Sequence, residues 1–468
     1  LNDAEVLSSL RNIVGPANVL ADPDLMAGYL SEPRGLYHGR ALAVVRPGST
    51  AEVAAVVRAC AAARAPIVPQ GGNTGLVGGQ TPDGGAAIVL SLKRMNRIRE
   101  IDPLTDTMVV EAGVTLAEAQ AAAQAADRLF PLSLASEGTC TIGGNLSTNA
   151  GGVAVLAYGN ARDLATGLEV VLADGRIVEA LSKLRKDNTG YDLKDLFIGA
   201  EGTLGIITAA ALKLFPNPRA RVTAFVGVAD PSHALAFFRL ARGSLGQGVT
   251  SFELIPRIGI DFVLAHATGA RDPLTSRHPW YVLVEAVSQV PDGLDEALTA
   301  LLAAAFEQEL IADAAIATTL EQSKAFWRLR ESLSEVQKFE GGSIKHDVSV
   351  PVGSVPEFLA EATVAVGRFQ PEARVVAFGH MGDGNIHFNV SQPVGADKQA
   401  FLAGWEAMNA IVHEIVARYS GSFSAEHGIG RLKRDLLAHA KNPVALDVMR
   451  KIKATLDPDG ILNPGKVL

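Results

Sequence analysis

Ten histidines occur in 468 residues, and three of them fall in two short segments rich in glycine and acids. The first segment is Gly379-His380-Met381-Gly382-Asp383-Gly384-Asn385-Ile386-His387-Phe388-Asn389. Helical spacing would put His380 and His387 on one face, but Gly382 and Gly384 disfavour a helix. The apolar run Val375-Val376-Ala377-Phe378 leads into it, and Asp383-Gly384 is a strong signal for a two-residue hairpin turn. That turn predicts a register with Gly382 opposite Asn385, Met381 opposite Ile386 and His380 opposite His387. Residues 380, 382, 385, 387 and 389 then share a face, with opposed Cβ atoms roughly 4.5–5.5 Å apart. Two imidazoles at that distance can chelate one metal ion. The alternative is a neutral pair that stabilises the turn by hydrogen bonds.

The second segment is Ser424-Ala425-Glu426-His427-Gly428-Ile429-Gly430. Glu426 would complete a His2Glu set with an open position, which suits Zn2+ as a Lewis acid and also accepts Mn2+ or Fe2+. His427 is then left to act as a base. Two further stretches carry cations. Trp327-Arg328-Leu329-Arg330-Glu331-Ser332-Leu333-Ser334 reads as helix, with Arg330 and Ser334 four apart on one face. Ser343-Ile344-Lys345-His346-Asp347-Val348-Ser349-Val350-Pro351 reads as strand, with Lys345 and Asp347 on one face. Arginine grips a carboxylate bidentately and lysine adds a point charge, although a single Arg or Lys is ordinarily a solvated surface charge.

The 46 glycines make up about a tenth of the chain against a typical ~7%, and they cluster. Pro69-Gln70-Gly71-Gly72-Asn73-Thr74-Gly75-Leu76-Val77-Gly78-Gly79 follows a short strand. Successive backbone N–H groups without side-chain bulk form an anion-binding nest. The spacing is neither G-x-G-x-x-G nor a P-loop, so a nucleotide would be held by neither common fold. Ser136-Glu137-Gly138-Thr139-Cys140-Thr141-Ile142-Gly143-Gly144-Asn145-Leu146-Ser147-Thr148-Asn149-Ala150-Gly151-Gly152 reads as a long loop of small hydroxyl and amide side chains, and such loops are uncommon unless they bind something. Gly199-Ala200-Glu201-Gly202-Thr203-Leu204-Gly205-Ile206-Ile207 places glycine before a strand.

The elements that must position these residues read as α/β in the first lobe. Ser49-Thr50-Ala51-Glu52 starts a helix to about Ala63, with Val53, Val56, Val57 and Cys60 on one face. Ile67 to Pro69, Ala87 to Leu92 and Thr107 to Glu111 read as strands, and Thr115 caps a second helix. Leu168 to Ala173 and Arg176 to Val178 form a hairpin about Asp174-Gly175. A strand from Thr203 to Leu214 precedes a boundary near residue 218. Beyond it, strands 221–228, 281–286 and 375–378 alternate with helices over 233–242, 294–309 and 398–418.

At 468 residues two or three domains are expected. The net charge of −8, without a basic block, argues against nucleic-acid binding. Cys60 and Cys140 fit no ligand spacing and exclude a disulfide framework. No run of about 18 apolar residues predicts a membrane span. Leu1-Asn2-Asp3-Ala4-Glu5 does not read as a secretory signal, so a cytoplasmic location is expected.

The order of the three glycine segments resembles the FAD domain of the vanillyl-alcohol oxidase-type flavoproteins, a superfamily that includes the D-lactate and D-2-hydroxyglutarate dehydrogenases. The likeness spans nearly the whole chain. Within it, the G-H-x-G-D-G-N-x-H and S-x-E-H-G-x-G segments are similar to those of the D-2-hydroxyglutarate dehydrogenases. The resemblance implies an α+β protein with an FAD-binding domain of two α/β subdomains over 1–218. An α+β substrate (cap) domain with an antiparallel sheet would follow over 219–420, and a C-terminal helical segment, 421–468, would pack back on the FAD domain. FAD pyrophosphate would lie on the 71–79 loop, flanked by the second cluster and residues 201–207, with Asn463 also at the cofactor. No His lies in either glycine loop, so the FAD is expected to be non-covalent.

The resemblance also implies His380, His387 and Glu426 as metal ligands and His427 as the catalytic, substrate-contacting base. Arg330, Ser334 and Lys345 would hold the distal carboxylate of a D-2-hydroxy diacid, and Asn389 would orient the near end. Ser334 stands where the family has Thr, and His346 where an aromatic is expected; the D-lactate relatives generally lack the lysine. The implied reaction is oxidation of the 2-hydroxy acid to the 2-oxo acid, with electrons passing to an electron-transfer flavoprotein or a quinone. A D-lactate or glycolate dehydrogenase is the alternative. A metallohydrolase or a non-catalytic nucleotide-binding module would leave one set of segments idle. A homodimer is the base-rate expectation.

Overall fold

In the computed structural model, which describes residues 2–468, the chain divides into two compact units. The first comprises the chain up to Gly152, Gly159–Asn217 and Glu426–Leu468. The second comprises Val153–Tyr158 and Pro218–Ala425. Among the described residues no helix is long and apolar enough to cross a membrane.

In the first unit, Ser49 caps the helix Thr50–Ala63 by accepting from Glu52 N at 3.2 Å. Its Val53, Val56, Val57 and Cys60 are buried in the core beside a four-stranded sheet. That sheet runs Val19–Leu20, Ala43–Val45, Ile88–Ser91, Ile67–Gln70, with its last three strands parallel. The C-terminal tail returns to its edge: Ile67 N donates to Ile461 O and Asn463 N to Ile67 O, both at 2.8 Å. A second, antiparallel sheet runs Ile98–Asp102, Thr107–Glu111, Ile206–Lys213, Ala165–Val171, Ile177–Ala180. The second glycine cluster is not all loop. Thr141 caps a six-residue helix, Ile142–Ser147, despite two internal glycines. Close packing decides this: a Cβ on Gly143 would lie 2.6 Å from Ala112 Cβ, so only glycine fits.

The second unit is built on one antiparallel seven-stranded sheet. Its order is Asp313–Ile316, Ala220–Val228, Trp280–Ser288, Val249–Pro256, Arg374–His380, Asn385–Ser391, Ser343–Ser349. Because side chains alternate across a strand, the sheet has two distinct faces. On one, Phe252, Leu254, Ile344, Ile386 and Phe388 join the apolar core formed with helices Pro231–Leu245, Leu294–Glu307, Val355–Phe369 and Trp405–Arg418. The expected helix over 398–418 is thus two helices, Lys398–Leu402 and Trp405–Arg418. On the other face, Phe225, Ile255, Val376 and Phe378 pack with helices Arg257–His266 and Leu320–Val336.

Candidate active site

The three glycine segments meet in the first unit. They line an open cleft. Pro69, Gly71, Gly72, Asn73, Thr74, Gly75 and Gly79 come from the first segment. Gly143, Gly144, Asn145, Ser147 and Thr148 come from the second, and Glu201, Gly202, Gly205, Ile206 and Ile207 from the third. Gln70, Val77, Gln80, Leu92, Thr141 and His427 also line it, and of these only His427 had been singled out for chemistry. Leu76, Gly78, Ser136, Gly138, Thr139, Asn149, Gly151 and Gly152 are not among the lining residues. Asn463 acts behind the wall, donating to Gly79 O at 2.9 Å and to Glu201 O at 2.8 Å.

The walls are made for close approach. A Cβ on Gly71 would lie 2.3 Å from Thr141 Oγ1, and one on Gly72 would lie 2.0 Å from Thr139 O. Asn145 Nδ2, Asn73 Oδ1 and Gln70 Oε1 are buried without a protein partner. Buried polar atoms need partners, so a ligand with both donors and acceptors fits this cleft. FAD, with its diphosphate and polar ring edge, is such a ligand. A larger hollow lies beside residues 182–195, where Arg162 pairs with Asp195 and Lys194 with Asp192.

Glu201 closes the cleft on the side of the Glu426–Gly430 segment. Its carboxylate accepts from Ile429 N at 2.7 Å and from Gly430 N at 2.8 Å. Burial pushes its carboxyl up to about 7, against the pull of those two amides and the Lys433 and Lys466 charges. Glu426 Oε1 accepts from Gly152 N at 2.8 Å.

In the second unit the histidine hairpin departs from the expected register. His380 pairs with Asn385 and Phe378 with His387, so the loop is four residues, Met381 to Gly384, not two. Two interactions close it. Gly384 N donates to His380 O at 3.1 Å, and Asp383 Oδ1 accepts from Asn385 N at 3.0 Å. Gly384 sits at φ +84, and a Cβ there would strike Val350 O at 2.1 Å. Gly382 therefore lies in the loop, outside the pairing. His380 and His387 still share a face, as diagonal neighbours with ring centroids 5.6 Å apart.

Cross-strand pairing sets a polar lattice around them. One row is Glu253, His380, Asn385, Ser349; the next is Phe378, His387, Asp347; the third is Val376, Asn389, Lys345. Asn385 Nδ2 donates to Asp347 Oδ1 at 3.0 Å. The helix Leu320–Val336 brings Arg330 alongside, its guanidinium 4.8 Å from the centre of the Phe378 ring. Lys345 Nζ donates to the Ser334 carbonyl at 3.1 Å, so it is the backbone of Ser334 that this lysine engages.

Sequence reading missed Glu253. It is fully buried, and Oε2 accepts Arg330 Nε–H at 2.5 Å while Oε1 accepts from His380 Nδ1 at 2.6 Å. Burial alone would raise its pKa; the charges and hydrogen bonds of His380 and Arg330 reverse this and hold it well below the usual carboxylate range. The one local signal was a lone acid between apolar residues, Phe252-Glu253-Leu254-Ile255.

A family model described as FAD binding domain matches residues 41–181, and one described as FAD linked oxidases, C-terminal domain, matches residues 217–467. The mitochondrial D-2-hydroxyglutarate dehydrogenase of Bos taurus is 38% identical, covering 99% of this chain and 83% of its own. That of Arabidopsis thaliana is 36% identical over 100% of this chain and 82% of its own. The D-2-hydroxyglutarate dehydrogenase of Stutzerimonas stutzeri (strain A1501) is 36% identical over 100% of this chain and 99% of its own. The fold is also that of p-cresol methylhydroxylase solved with substrate bound, at TM-score 0.77 and 19% identity over 99% of this chain and 96% of that one. An alkyldihydroxyacetonephosphate synthase structure superposes at TM-score 0.73 and 18% identity over 98% of this chain and 84% of that one. The chain thus belongs to the FAD-linked oxidases, as a member of the D-2-hydroxyglutarate dehydrogenase family.

Proposed function

We propose that this chain oxidises D-2-hydroxyglutarate, or a similar D-2-hydroxy diacid, to the 2-oxo acid, using non-covalent FAD and one divalent metal ion. The observation that carries the reading is the polar lattice of the second unit, where Arg330 and Lys345 stand beside the His380–His387 pair. Two cations next to two imidazoles suit a small substrate with a carboxylate at each end. The glycine cleft holds the FAD, which when bound supplies the two-electron acceptor.

His380, His387 and Glu426 offer two imidazoles and a carboxylate, a donor set that suits Zn2+ and tolerates Mn2+ or Fe2+. An ion held by these residues would supply Lewis acidity to the 2-hydroxyl end of the substrate. His427 takes the proton of the 2-hydroxyl. Arg330 and Lys345 hold the distal carboxylate, with Ser334 beside them, and Asn389 orients the near end.

The test is anaerobic mixing of the purified holoenzyme with single 2-hydroxy acids while flavin absorbance is followed. D-2-hydroxyglutarate bleaches the flavin; its L-isomer and D-lactate do so far more slowly. Chelator treatment stops the bleaching without releasing flavin. Equal bleaching by D-lactate would move the specificity to monocarboxylates, and bleaching that survives removal of all divalent metal would end the metal's role.

A further inference from the structure

The strand Val249–Pro256 buries an acid where a sheet ordinarily buries apolar side chains. Glu253 has no exposed surface, and an ionised carboxylate so placed is costly unless both oxygens are engaged. Both are. Arg330, 77 residues away in sequence, meets one oxygen, and His380, 127 residues away, meets the other. A carboxylate only accepts hydrogen bonds. The 2.6 Å contact to His380 Nδ1 therefore places a proton on Nδ1. In a neutral imidazole the lone pair then belongs to Nε2. Arg330 meets Glu253 through Nε, and its guanidinium plane lies over Phe378, so two surfaces fix its orientation.

We propose that Glu253 is a positioning residue that sets two functional side chains at once: it holds His380 as the Nδ1–H tautomer, presenting Nε2 to a divalent metal ion, and it locks the Arg330 fork for a substrate carboxylate. The inference rests on the reading above, in which His380 binds metal and Arg330 binds the distal carboxylate. Its physical basis is general. A metal-binding histidine whose other N–H is held by a carboxylate is a more basic and better aimed ligand, and losing that support weakens metal binding by about 10–100-fold. A mere Arg330–Glu253 ion pair would need only one oxygen. The second oxygen on His380 makes Glu253 a bridge, through which metal and substrate grips share one anchor.

Glu253→Gln keeps shape and volume but supplies one acceptor where two are needed. In the full-chain holoenzyme, metal content by mass spectrometry is followed during competition with a chelator. Retention is expected to fall about 10–100-fold, with flavin stoichiometry unchanged and KM for D-2-hydroxyglutarate raised more than kcat is lowered. Wild-type metal retention together with wild-type KM overturns the proposal. A second measurement needs no variant at Glu253: 15N-histidine spectra of the metal-stripped wild-type protein, with the His380 signals assigned by their loss in His380→Gln. The Nδ1–H tautomer supports the proposal, the Nε2–H tautomer overturns it, and this result decides if Glu253→Gln does not fold. Wild-type protein that never binds a divalent ion would instead remove the metal reading, leaving KM and the tautomer to judge Glu253.

Discussion

Replacing Gly72 by alanine adds one methyl group to the wall of the glycine cleft. That carbon would lie 2.0 Å from Thr139 O, 2.8 Å from Thr139 C and 2.9 Å from Cys140 Cα. All three are backbone atoms, so no side chain can swing away. Ordinary contact begins near 3.4 Å, so the two segments must part by about 1.4 Å in a close-packed wall. Overpacking of this kind costs roughly 1–3 kcal/mol. If the apoprotein relieves it by opening, the strain returns when FAD draws the walls together. Affinity then falls roughly 5- to 150-fold, at 1.4 kcal/mol per decade. Gly138→Ala is the matched control, since nothing lies within 4 Å of a Cβ there. Both variants are stripped of flavin and titrated with FAD by fluorescence quenching, and Tm is measured with and without the cofactor. Gly72→Ala should lose affinity, Tm or both, and Gly138→Ala neither. If Gly72→Ala binds FAD and melts like wild type, the contact between these two segments is not what shapes the cofactor site.

His427→Ala should cut the rate of flavin reduction by substrate about 10²–10⁴-fold while FAD content stays near wild type; near-normal stopped-flow rates would remove His427 as the base. Lys345→Met should lower kcat/KM for D-2-hydroxyglutarate by roughly 10- to 150-fold, the worth of a hydrogen bond to a charged group, and leave D-lactate turnover little changed. Equal losses on both substrates would contradict a grip on the distal carboxylate. Glu201 gives a pH prediction. Its folded pKa, about 7, lies above the ordinary 4.5, so its contribution to stability is complete below about pH 4.5 and is lost as pH rises through about 7, by roughly 3 kcal/mol. Glu201→Gln cannot titrate, so the wild-type Tm advantage over this variant should shrink between pH 5 and pH 8. A constant difference would refute it.

What the sequence made legible was local. The helix Thr50–Ala63 could be read because its cap and its buried stripe lie within a dozen residues. Thr107–Glu111 and Ala220–Val228 could be read because their apolar runs are uninterrupted or nearly so. The shared face of His380 and His387 survived an error in register because a shift of two residues preserves strand parity. The register itself depended on an Asp383 side chain capping Asn385 N and on Gly384 at positive φ, which dipeptide preference does not encode. Helix Ile142–Ser147 was hidden by Gly143 and Gly144, whose propensity argues against a helix. Tertiary contact overrides it, with Ile142 N bound to Val114 O and Gly143 N to Ala112 O. Strand Val249–Pro256 went unread for a related reason. Its Ser251 and Glu253 alternate with Phe252 and Leu254, the pattern of a half-exposed strand, yet every residue in it is buried.

Two buried glutamates show why such a position escapes local reading. Glu201 and Glu253 are the same side chain in similar burial, but their pKa values move in opposite directions. Around Glu201 the direct partners are two neutral backbone amides, and burial wins. Around Glu253 the direct partners are a guanidinium and an imidazole, and charge wins over burial. The difference lies in what faces each carboxylate. For Glu253 those groups come from a helix and a strand brought to it only by the folded sheet. A carboxylate held between a guanidinium and an imidazole N–H also keeps a fixed charge while its neighbours are put to use. Replacing a buried charged set of this kind with apolar groups of similar volume is often neutral or stabilising. Stability therefore does not account for placing a charge there, whereas the positioning role proposed for Glu253 does.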